Sequence, residues 1–354
     1  MKVVRHTGHL LLLCLVLSCM KPQQEEDQTQ YIEREVSAID SLLRNEAFTL
    51  AIAQSQNAAY YTGLGETAPS FLLPGEDTAN VPVSRRVQKV ATNLAGFYAL
   101  ECGLGALSAK TGHKPTDILQ SIVSNQADSA TVLLLSRFAN ATWKTGQPFH
   151  GLERIKRPIF RVVSLLPPNE VRKDYDQILA ASGTLLTAMQ DVGSNSLEVQ
   201  MQKLRSLLHD ESFAVRMATA QDAAYYTAQK KTAPPFLTSD EEKATVMTSI
   251  KEQKIATNVA GFYALECGLN YLVTTQGKRP STILNAIVSD SISREDRDLL
   301  CRFANATWKA SQPFRGLKRI SRATFTPFYF LSEADIDKDW VQVKAAAKRV
   351  LAAL

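Results

Sequence analysis

An all-α fold is predicted by three features of the sequence. Apolar residues return at steps of three and four over long stretches, as on one face of a helix. No run alternates Val and Ile for long enough to build a sheet. The helical pattern is also written twice: ATNLAGFYALECG at 91–103 returns as ATNVAGFYALECG at 256–268. The expectation is an internally duplicated helical bundle, two tandem copies related by a 165-residue offset.

The offset holds well beyond that pair. SLLRNEAF from Ser41 answers SLLHDESF from Ser206, and AAYYT from Ala58 answers AAYYT from Ala223. RFANATWK recurs unchanged from Arg137 and from Arg302, and QPFHGLERI from Gln147 answers QPFRGLKRI from Gln312. A period this long is a domain-sized unit, not a solenoid repeat. The expected boundaries are copy 1 at 35–161, a helical connector at 162–203, copy 2 at 204–330 and a C-terminal amphipathic helix at 331–354.

Within copy 1, Ser41 to Tyr61 has helical spacing and TAPSFLLPGED from Thr67 is irregular. Val87, Val90, Leu94, Phe97, Tyr98, Leu104 and Leu107 fall on one face of a helix of about 20 residues. Ile255, Val259, Phe262, Tyr263, Leu269 and Leu272 repeat it. A short helix begins near Pro115, with a partner at Pro280. Another runs from 127 to 144, and Pro148 cannot continue its hydrogen-bond ladder. IFRVVSLL near Ile159 suits either a strand or a buried helix start. In the tail, Trp340, Val343, Ala347, Val350 and Leu354 share one side of a docking helix.

The N-terminus has another logic. Basic residues precede an apolar run, Leu10 to Leu17, too short to span a bilayer. The order Val16-Leu17-Ser18-Cys19 resembles the lipobox of bacterial lipoproteins. The resemblance implies a signal peptide at 1–18 and lipid, such as palmitate, on Cys19. Residues 19–34 would then hold the lipidated cysteine and a polar tether. The expected location is the cell envelope, anchored to the bacterial membrane, with the outer membrane favoured over a free periplasmic state. The partners expected are the membrane itself, through the anchor, and an envelope protein, glycan or peptide.

Composition narrows the function. The 354 residues are 45% hydrophobic and 21% charged, with a formal net charge of +5. That bias is too weak for nucleic acid. Of five cysteines, Cys14 leaves with the signal and Cys19 is lipidated. Cys102, Cys267 and Cys301 remain, so this is no disulfide scaffold. Cys102 and Cys267 are equivalent and either pair across an axis or stay as buried thiols. No CxxC, phosphate loop, dinucleotide fingerprint or zinc-protease motif occurs, so no cofactor and no metal are expected. His113, His150 and His209 have no histidine at the offset position.

The candidate catalytic residues are Glu101 and Glu266. Each lies inside the apolar face, where a carboxylate needs a partner or a shifted pKa. Arg137 and Arg302 are the expected partners, with Lys144 and Lys309 behind them. Candidate ligand-binding residues are Asn93, Asn258, Arg137, Arg302, Tyr61 and Tyr226, since amides and aromatic rings suit sugar or peptide contact. Asn140 and Asn305 join them on the later helix. The reading favoured is a binding or scaffold module. The alternatives are a hydrolase-like enzyme using Glu101 or Glu266 in an inter-helix cleft, and a glycan- or peptide-binding lipoprotein.

Overall fold

The computed structural model describes residues 28–193 and 195–354. The signal segment 1–18 and Cys19 lie outside the described residues. The fold is all-α, with one two-stranded ribbon.

The first helix, α1, covers 28–43, so the last residues of the expected tether are helical. After it come α2 (Glu46–Gly63), α3 (Arg85–Asn93), α4 (Ala95–Thr111), α5 (Pro115–Val123), α6 (Ser129–Gly146) and α7 (Pro168–Ala188). The later helices are α8 (Leu197–His209), α9 (Glu211–Ala228), α10 (Ser239–Lys243), α11 (Ile250–Asn258), α12 (Ala260–Gln276), α13 (Pro280–Val288), α14 (Arg294–Ser311) and α15 (Glu333–Leu351).

Local chemistry explains the breaks. Asn45 splits the expected 41–61 helix, because its side chain accepts from Phe48 N and starts α2. The expected helix across 87–107 is two helices that meet at Leu94. Thr92 Oγ1 bonds Gln88 O at 2.7 Å and Asn93 Nδ2 bonds Lys89 O at 3.0 Å. Side chains that compete for backbone carbonyls loosen a helix there. Thr257 and Asn258 do the same before α12. Asp128 caps α6, and Pro148 falls in a 3₁₀ turn directly behind it.

Three sequence expectations are corrected. Strands β1 (Asn80–Ser84) and β2 (Thr245–Ser249) pair antiparallel in stretches too short for alternation to reveal. IFRVVSLL is neither strand nor helix start but a turn with one 3₁₀ segment, Val163–Leu165. In the tail, Leu354 is exposed, and Ala346 joins Trp340, Val343, Ala347 and Val350 on the buried face.

Helices α4, α6, α12 and α14 pack against one another at the centre. The stretch 85–111 is apolar enough to cross a membrane by composition, yet it is this buried core. Helix α7, in the stretch expected to connect, packs on α4, α5, α6 and α9. Helix α15 packs on α2, α12, α13 and α14. The partnering crosses the chain: α2 lies on α11 and α15, while α9 lies on α3 and α7.

Residues 165 apart meet face to face. Pro82 pairs with Met247 at the centre of the ribbon. Phe149 stacks on Phe314 with centroids 4.5 Å apart, and Phe138 stacks on Phe303 at 3.9 Å. Ala91 and Ala256 close around the former pair.

Candidate functional site

Two places concentrate polar side chains: the core between the central helices, and a cleft on the side of α2.

In the core, Glu266 on α12 is paired with Lys144 on α6 at 2.5 Å, and Glu101 on α4 is paired with Lys309 on α14. All four side chains are out of water. The partners are therefore the lysines, not Arg137 and Arg302. The reason is register: α6 brings Arg137 opposite Asn270, and Lys144, two turns further on, opposite Glu266. Burial disfavours the Lys144 ammonium, but Cys267, then Glu266 and Asp174, together outweigh it, and the pKa stays above the usual lysine value. Lys309 beside Glu101 behaves alike.

Each centre extends outward. Cys267 donates to Glu266 at 3.1 Å and Cys102 to Glu101 at 3.2 Å. Burial first, then the glutamate charge, pushes both thiols well up, so they remain protonated. Both cysteines are free, as is Cys301. Asn140 donates to Asp174 at 2.9 Å, and Asn305 to Asp339 at 3.2 Å. Burial raises Asp174 and Asp339 to about 7, against the pull of those amides.

The arginines serve the packing. Arg137 Nε donates to Asn270 at 2.9 Å. The residue 165 before Asn270 is Gly105, so Arg302 lacks that acceptor. It turns instead to Asp298 at 2.7 Å and lies over the Phe328 ring, leaving Nη1 buried without a partner. Asn93 and Asn258 bond their own helices.

The cleft has a volume of about 520 Å³. One wall is the end of α2, with Gln56, Asn57, Tyr60 and Tyr61. Asn258 and Gly261 line the α11–α12 junction, and Asn305 and Trp308 come from α14. Arg315, Arg319 and Arg322 form a cationic rim, and Asp335, Lys338, Asp339 and Gln342 complete it from α15. Gln56 is 1% exposed; its Oε1 accepts from Gly261 N at 3.1 Å, and its Nε2 has no partner. A Cβ on residue 261 would stand 2.6 Å from that Oε1, so the contact requires glycine.

The rim charge is uncompensated. Lys338 is paired with Asp335 at 2.8 Å, but no carboxylate among the described residues pairs with Arg315, Arg319 or Arg322. Burial, then the charges of Arg315 and Arg322, lowers Arg319 to about 10. Its Nη1 reaches Gln312 at 3.3 Å. Such crowding of like charges favours an anionic partner.

At the matched positions Arg154 and Arg157 answer Arg319 and Arg322, but two other positions differ. His150 stands where the rim has Arg315, and Asp222 stands where it has Asn57. His150 Nε2 lies 2.8 Å from Thr92 Oγ1. Gln221 repeats Gln56, buried with an unpartnered Nε2.

The chain matches no protein-family model, no curated protein and no solved structure.

Of the predicted site residues, the cleft unites Tyr61 and Asn258, and Asn305 links it to the core. Glu101, Glu266, Arg137 and Arg302 belong to the core, while Asn93 and Tyr226 lie on the side of α3 and α9. Sequence reasoning missed Gln56, Asp339 and the three rim arginines. The spacing of Arg315, Arg319 and Arg322 was visible, but their meeting with α2, more than 250 residues earlier in the chain, was not.

Proposed function

We propose that the chain is a lipid-anchored envelope protein, held by Cys19, that acts as a binding module for an anionic ligand in the α2 cleft. The observation that carries this reading is the rim of three arginines without carboxylate partners. Aromatic side chains at Tyr60, Tyr61 and Trp308 suit the body of a peptide or sugar. A cleft of this size is in the usual range for small ligands.

The enzyme reading finds less support. Glu101 and Glu266 are each neutralised by a lysine inside dry packing, and neither lines the cleft. A general acid or base needs access to its substrate.

Calorimetric titration of the full chain in detergent tests the ligand class. The probes are a short acidic peptide, an oligogalacturonate and a neutral oligosaccharide. Binding of an anionic probe that weakens with salt and with Arg319→Gln supports the reading. Binding of the neutral probe alone, or of none, sinks it. Loss of palmitate labelling in Cys19→Ala tests the anchor separately.

A further inference from the structure

The cleft also holds a carboxylate, Asp339, that no salt bridge neutralises. Asp339 points at no cation of its own. Lys338 is taken by Asp335, and Lys309 by Glu101. Its Oδ2 accepts only the neutral Asn305 amide, and its other oxygen is not a buried orphan. A lone carboxylate at the edge of a cationic cleft is a poor neighbour for a purely anionic ligand. It is a good one for a ligand that also carries an ammonium.

We infer that the cleft receives the free amino terminus of a short acidic peptide, with the ammonium on Asp339 and acidic side chains on Arg315 and Arg319. This rests on the anion-cleft reading above. Tyr60, 46% exposed, and half-buried Trp308 flank the backbone.

The geometry has a chemical counterpart. Burial raises Asp339 to about 7, so an incoming ammonium would hold it ionised. An anionic sugar without an amine offers no such partner.

The test compares Asp-Glu-Glu with its N-acetyl form on the full chain in detergent, by calorimetry near neutral pH. Acetylation removes the ammonium and keeps the acidic groups. The expected result is that acetylation weakens binding by about tenfold or more. Asp339→Asn should abolish that difference, and Arg319→Gln should weaken both peptides alike. Equal binding of the two forms overturns the ammonium pairing and leaves the anion cleft standing. Binding of oligogalacturonate with neither peptide overturns the peptide assignment alone. Failure of every anionic probe overturns both readings. The decisive comparison is made on the unaltered protein, so a misfolded variant cannot obscure it.

Discussion

Lys144 Nζ lies 2.5 Å from a Glu266 carboxylate oxygen, and the two residues come from helices α6 and α12, 122 residues apart in the chain. Removing either partner leaves the other charged in a dry core. Glu266→Gln should therefore cost about 3–5 kcal/mol. Lys144→Met combined with Glu266→Leu should cost far less than the two single changes together. Urea unfolding of the three variants measures this, and simple additivity would refute the coupling.

The Phe138–Phe303 stack makes a second prediction. Its planes are 6° from parallel, and both rings are fully buried. Phe138→Ala should destabilise by about 3–5 kcal/mol, and Phe138→Leu by clearly less. Thermal melting of both variants decides whether the ring or merely its volume matters.

Close helix approach separates two glycines on α4. A Cβ at Gly103 would stand 2.4 Å from Leu135 Cδ2, inside tight packing. Gly103→Ala should cost about 1–3 kcal/mol. At Gly105 the only neighbour is Arg302 Nη1 at 2.8 Å, the end of a side chain that can swing. Gly105→Ala should stay within about 1 kcal/mol, since better helix propensity offsets the contact. Denaturant midpoints for the pair reverse in order if backbone approach is not the constraint.

His150 sets a pH dependence. Burial, followed by Arg154, Arg85 and Arg157, lowers its pKa from 6.5 to about 4. Between those values the unfolded chain binds the proton and the folded chain does not. Stability contributed by neutral His150 is therefore present above 6.5 and lost as pH falls toward 4. His150→Gln should flatten that acid limb of the melting curve. An unchanged slope would show that other groups control it.

Helical spacing made the all-α class legible, together with the positions of α4, α6, α12 and α14. It also placed Glu101 and Glu266 on the apolar face. Their lysine partners were harder to choose, because periodicity fixes a direction but not which long side chain crosses to the next helix. The ribbon escaped because five residues carry too little alternation. The cleft escaped for a different reason. Gln56 and Arg319 are ordinary polar residues in their own neighbourhoods, and only the packing of α2 on the C-terminal helices brings them together.

That packing imposes an order on biogenesis. Residues 80–228 contain both α9 and the helices α3 and α7 it packs on, so these partners are present before the rest of the chain has been made. Helix α2 waits for α11 and α15. At ordinary synthesis rates its apolar face remains without its partner for roughly ten seconds or more. An early part of the body is thus among the last to be enclosed, and the α2 cleft can form only once α15 has been made.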